Sequence, residues 1–218
     1  RARDLLMRQR TMILNAIRGH LAEFGIIAAQ GPRQVMGMIA RLRDDGDASL
    51  PEIARSALLA LGAHLEALAG EIRTLERQLM VWHRADPTSQ RLETIPGVGL
   101  ITATALAASV SDPSVFKSGR ELAAFLGLVP RQNSSGGKDR LGLISKMGDR
   151  YLRKLLVVGA TSVIRRAGSN STKTGAWVRS LMERKPARVV TVAMANKTAR
   201  IAWAVMTRGE AYRASPIA

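Results

Sequence analysis

Leu58-Leu59-Ala60-Leu61-Gly62-Ala63-His64-Leu65-Glu66-Ala67-Leu68-Ala69-Gly70-Glu71-Ile72-Arg73-Thr74-Leu75-Glu76-Arg77-Gln78-Leu79-Met80-Val81-Trp82 is the stretch on which the fold turns. Leu58, Leu61, Leu65, Leu68, Ile72, Leu75, Leu79 and Trp82 follow one another at alternating intervals of three and four residues. A helix sets residues at that spacing on one side, so residues 51–86 read as one long coiled-coil-like helix with an apolar seam. Gly62 and Gly70 lie off the seam and cost some helix stability. So apolar a face has to be covered. The cover is either the same helix of another copy or another helix of this chain. Self-association through the Leu58–Trp82 seam is the expectation.

Working outward from that helix, residues 3–24 carry Leu5, Leu6, Ile13, Leu14, Ile17, Leu21 and Phe24 at roughly helical spacing, with Gly25 as a stop. Residues 34–43 suit a short helix, and 43–51 form a loop by composition. On the other side, Asp86-Pro87-Thr88 breaks the long helix. Helices are predicted at 89–95, 100–110, 118–126, 149–167, 174–184 and 188–207. Six glycines and prolines between Gly127 and Gly148 make 127–147 a loop with short extended pieces. The class is mainly α. Three parts are expected: an N-terminal helical segment, 1–50; the coiled-coil-like helix, 51–86; and a C-terminal domain, 87–218.

The charge is lopsided. Over 218 residues, 33 Lys and Arg face 17 Asp and Glu, a net +16. Up to Val110 the counts are 13 and 11; beyond it they are 20 and 6. Arg outnumbers Lys 26 to 7, and the Arg fork suits phosphate oxygens. Such an excess in a chain that is 46% hydrophobic points to a folded domain that meets a polyanion. Cysteine is absent, which excludes disulfides and thiol catalysis. The longest uncharged run, Thr94–Ser111, contains Pro96, Gly97 and Gly99 and makes a poor membrane span. A cytoplasmic, nucleoid-associated protein is expected.

Three motifs carry chemistry. Leu92-Glu93-Thr94-Ile95-Pro96-Gly97-Val98-Gly99-Leu100-Ile101-Thr102-Ala103 has the form of a helix-hairpin-helix. Gly97 and Gly99 allow the tight turn, and the N–H groups opening the second helix suit a backbone phosphate. Next, Gly127-Leu128-Val129-Pro130-Arg131-Gln132-Asn133-Ser134-Ser135-Gly136-Gly137-Lys138-Asp139-Arg140 sets two serines among glycines and cations. A phosphate-binding nucleotide loop fails at Gln132 and Asp139. A serine attacking a phosphodiester needs an exposed hydroxyl, close approach and cations, and the loop has all three types. A plain phosphate-binding loop fits the composition as well. Finally, Asp149 is placed to cap a helix whose first turns carry Arg150, Arg153 and Lys154, with Leu152, Leu155, Leu156 and Val158 towards a core. No cluster of carboxylates or histidines suggests a metal site.

Arg10–Leu21, the Thr94–Thr104 hairpin, the run from Phe116-Lys117-Ser118-Gly119-Arg120 through Ser134–Lys138 to Ile144-Ser145-Lys146, and Ala195–Trp203 together resemble the transposases of the bacterial insertion-sequence family 110, subgroup 1111. The resemblance implies a DNA transposase or recombinase whose serine attacks DNA. The family's Ser-Gly falls on Ser135-Gly136, so Ser135 is the implied nucleophile, with Ser134 as the fallback. DNA contacts are expected at Gly97, Gly99, Lys117, Arg131, Lys138, Arg140, Lys146, Arg150 and Arg153. The resemblance further implies a structured guide RNA and an N-terminal RuvC-like domain with four acidic Mg2+ ligands. No counterpart of that domain is expected in this sequence. The chain therefore reads as a C-terminal portion, without cofactor of its own and inactive alone. A non-catalytic helix-hairpin-helix nucleic-acid-binding protein is the alternative; a coiled-coil scaffold with incidental charge is a third reading.

Overall fold

The computed structural model describes residues 1–44, 50–133, 140–169 and 172–214. The chain divides into two compact units, Arg1–Gln78 and Leu79–Ala218.

The first unit holds α1 (Ala2–Glu23), α2 (Pro32–Asp44) and most of α3 (Glu52–Ala85). Ile17 and Leu21 of α1, Val35, Ile39 and Leu42 of α2, and Leu58 and Leu65 of α3 form one buried cluster. Arg3 at the start of α1 donates to Glu76 near the end of α3, Nε to Oε1 at 2.8 Å. With Ile17 and Leu21 beside Leu58 and Leu65, α1 therefore runs antiparallel to α3. Gly62 has a steric reason. A Cβ there would lie 2.5 Å from Ile39 Cγ2, so its absence lets α2 sit close on α3.

The seam of α3 finds its cover within the chain. Leu58, Leu65, Leu68 and Ile72 are buried, and Leu61, Leu75 and Leu79 are half-buried. At Leu58 and Leu65 the expected self-association seam packs against α1 and α2 of the same chain. Trp82, with Met80 and Val81, is the exposed end.

In the second unit, Asp86 ends the long helix and starts the next. Its Oδ1 accepts from Ser89 N at 2.6 Å, and Pro87 occupies the first turn of α4 (Pro87–Glu93). His83 fastens the corner: Nδ1 lies 2.7 Å from Ser89 Oγ and Nε2 lies 2.9 Å from Glu93 Oε2. The serine is wholly buried. That arrangement is a structural brace, since no substrate reaches its hydroxyl.

Then follow α5 (Leu100–Ser109), α6 (Gly119–Phe125), a two-stranded antiparallel hairpin of β1 (Pro130–Gln132) and β2 (Leu141–Ile144), α7 (Arg150–Arg165), α8 (Lys173–Met182) and α9 (Ala187–Arg208). The predicted helices lie within a few residues of these. Helix α9 is the axis of the unit. Ala195, Ala199 and Ala202 are fully buried, and such small side chains let α6 and α7 pack close. Leu106, Leu122, Leu126, Leu152 and Leu156 complete the core around it. Each contributes on the order of 2 kcal/mol by burial. The expected caps and faces of α7 hold in part. Asp149 Oδ1 accepts from Tyr151 N at 2.8 Å and Leu152 N at 3.1 Å. Val158, expected inward, is 61% exposed, because it falls nearly half a turn off the Leu152–Leu156–Ala160 stripe.

Candidate nucleic-acid interface

Between α4 and α5 the chain makes the turn that Pro96-Gly97-Val98-Gly99 predicts. Val98 N donates to Ile95 O at 2.9 Å, and Gly97 takes φ +83°. The two glycines do different things. A Cβ on Gly97 would lie 2.7 Å from Gly159 O of α7, and one on Gly159 would strike the Gly97 carbonyl. Gly97 thus seats the turn on α7. Gly99 is exposed, has open space where a Cβ would go, and opens α5 at its N-terminus.

The cations of the α7 start also separate. Arg150 is exposed. Arg153 is half-buried, and its Nη1 donates at 2.9 Å to both Leu126 O and Met147 O. It staples α7 to the end of α6 and to the chain leaving β2.

The β1–β2 hairpin brings Arg131 and Arg140 to the two ends of the serine segment. Asn133 N donates to Arg140 O at 2.8 Å, so the intervening residues begin and end at a hydrogen-bonded pair. Ser134, Ser135 and Lys138 lie outside the described residues. The base of the hairpin is anchored. Asn196 Nδ2 of α9 donates to Leu128 O at 3.1 Å, and Ser145 N donates to Val129 O at 2.8 Å. Arg131 Nη2 reaches Ser145 O at 3.3 Å.

Beside this hairpin lies an open groove of about 1320 Å³. Its walls are the start of α6, the hairpin strands, Trp177 of α8 and one face of α9. Apolar side chains, among them Leu143, Val189 and Ile201, form most of the surface. Arg120, Lys146, Arg188, Lys197 and Arg200 supply charge, and among the described residues no Asp or Glu lines the groove. Lys197 Nζ sits over the Trp177 ring, 4.5 Å from its centre. Burial pushes the Lys197 ammonium below the usual lysine value, and the Arg200 charge adds to the push. Trp203 Nε1 donates to Pro113 O and Phe116 O, which holds the approach to α6 in place.

Of the expected contact residues, Lys146 lines the groove. Lys117 directly precedes Ser118, Gly119 and Arg120 of its wall, and Arg131 directly follows Pro130. Gly97, Gly99, Arg150 and Arg153 are not among the lining residues. Arg120, Trp177, Arg188, Lys197 and Arg200 were not singled out as contacts by sequence reasoning. One signal was available: no Asp or Glu occurs between Glu183 and Glu210, so the cations of α9 have no carboxylate on their own helix.

Residues 89–175, from the α4 corner through the hairpin and α7, match the model of the family described as Transposase IS116/IS110/IS902. The chain belongs to that transposase family. The y4pF/y4sB protein of Sinorhizobium fredii, named as a transposase, is 47% identical over 212 residues. The transposase for insertion sequence element IS1111A of Coxiella burnetii is 38% identical over 211 residues, and that for IS1328 of Yersinia enterocolitica is 40% identical over 212. Each alignment takes in 97% of this chain. The chain spans 54–63% of the length of these transposase relatives. Among the described residues, no group of three or more His, Cys, Asp or Glu could hold a metal ion. No helix described is long and apolar enough to cross a membrane.

Proposed function

We propose that this chain is the DNA-handling part of an insertion-sequence transposase, with Ser135 as the nucleophile of strand exchange. The observation that supports the reading is the strand pair that flanks the serine segment in sequence. The base of β1 and β2 forms a wall of a groove that, among the described residues, is lined by five cations and no carboxylate. Phosphodiester chemistry needs that kind of field, because negative charge grows on the non-bridging oxygens as the phosphorus is attacked. In the proposed step the Ser135 hydroxyl gives up its proton as its oxygen bonds to phosphorus. The bond from phosphorus to one sugar oxygen breaks, and that oxygen takes a proton. The serine–phosphate linkage keeps the energy of the broken bond, so a second sugar hydroxyl can displace the serine and join new strands.

Under this reading Gly99, Lys117, Arg131, Lys138, Arg140, Lys146 and Arg150 contact backbone phosphate and position DNA without reading its sequence. Gly97 and Arg153, also expected as contacts, support those residues through the packing described above. A structured guide RNA and a metal-binding acidic domain belong to the same proposal, as partners of the reaction.

Two measurements test it. Duplex DNA binding by this chain should fall steeply with salt, since each neutralised phosphate releases counterion. A transposition assay of the complete element should lose activity with Ser135→Ala and keep it with Ser134→Ala. Salt-sensitive binding with transposition unchanged by Ser135→Ala would leave a non-catalytic nucleic-acid-binding role in place of the serine mechanism.

A further inference from the structure

We infer that the groove beside the β1–β2 hairpin receives an unpaired nucleic-acid strand, with bases on its apolar wall and phosphates on the α9 cations. The inference rests on the nucleic-acid reading above and goes further by naming the strand state. A duplex presents phosphates and sugars at its surface and keeps its base faces stacked inside. It has nothing to place on an apolar wall made by Leu143, Val189, Ile201 and the half-buried Trp177. An unpaired strand has both faces to offer: flat apolar bases and a charged backbone.

The charges fit that occupant. Arg188, Lys197 and Arg200 line the groove along about 18 Å of α9. Lys197 and Arg200, one turn apart, repel each other, and among the described residues no carboxylate lines the groove to offset them. Lys197 is also partly desolvated against Trp177. Two cations held together in this way are relieved by an anion. The groove is also preformed. Asn196 fixes its hairpin wall, Trp203 fixes the approach to α6, and the Gly119 Cα packs on the Arg200 backbone, where a Cβ would come within 2.9 Å of the carbonyl.

The experiment compares two labelled probes with the full chain: a thymidine oligomer of about 20 nucleotides, and a blunt duplex of the same length. Fluorescence anisotropy is read for the wild type, Lys197→Met and Val189→Asp. Lys197→Met keeps the stem packing, and Val189 is half exposed, so both variants are expected to fold; thermal melting checks this. The expected result is a loss of about tenfold or more for the oligomer with each variant, and a clearly smaller loss for the duplex. Equal losses on both probes would overturn the inference in favour of a general electrostatic surface. Unchanged oligomer binding would overturn it outright. Wild-type protein that bound neither probe would overturn the underlying nucleic-acid reading as well. Tryptophan emission supplies a second readout. The oligomer should quench it, and Trp177→Phe should remove most of that quench. A quench unaltered by Trp177→Phe would place the bases elsewhere.

Discussion

Gly97 and Gly159 occupy each other's side-chain space: the turn between α4 and α5 lies so close on α7 that a Cβ at either position meets the other's carbonyl. Gly97 also needs φ +83°, a conformation in which other residues are strained. Gly159→Ala should therefore destabilise the chain, although alanine is the better helix former by about 1 kcal/mol. Gly97→Ala should cost about 2 kcal/mol or more. Gly99→Ala, with open space around it and φ −103°, should change stability little. Urea unfolding of the three variants checks this order. A Gly97→Ala protein as stable as Gly99→Ala would show that the turn does not bear on α7.

The His83 brace makes a second prediction. Ser89 is buried, and its hydroxyl faces the His83 ring. Removing the ring leaves that hydroxyl without its partner, so His83→Ala should cost about 1–3 kcal/mol. The double variant His83→Ala/Ser89→Ala should cost less than the sum of the two single ones, because each single change breaks the same contact. Strict additivity in the thermodynamic cycle would show that the two side chains do not interact.

Arg150 and Arg153 lie three residues apart and should fail differently. Arg150→Ala should leave stability unchanged and lower the slope of log affinity against log salt by ~0.9 for duplex DNA, if it contacts one phosphate. Arg153→Ala should lower the melting temperature instead, since it removes the donor to Leu126 O and Met147 O. The same effect from both variants would contradict the separation.

Lys197 sets a pH dependence. Its proton is held less tightly in the folded chain than in the unfolded one, through burial first and Arg200 second. Between the lowered value and the ordinary 10.5, the unfolded chain binds more protons, so stability rises with pH. Below that window the charged lysine weakens the fold by a constant amount. Relative to Lys197→Met, the wild type should gain stability as pH climbs through the window. Paired urea titrations across the alkaline range read this directly; parallel curves for the two proteins would contradict it.

The sequence alone fixed the helical class and most helix positions, because the information is local. Alternating three- and four-residue spacing defines α3, Asp86-Pro87 and Asp149 state where helices begin, and Gly25 states where α1 ends. The basic character of the second half was legible for the same reason, since charge is a property of composition. What the seam of α3 packs against was not local. Only the tertiary structure decided that α1 and α2 cover it, since an apolar stripe is satisfied equally by its own chain or another. The separation of Gly97 from Gly99 and of Arg153 from Arg150 was decided in the same way, by contacts with residues far along the chain. The groove itself belongs wholly to the tertiary level. Arg120, Trp177 and Lys197 line one groove because α6, α8 and the hairpin are all placed against α9, and spacing in sequence carries no trace of that meeting.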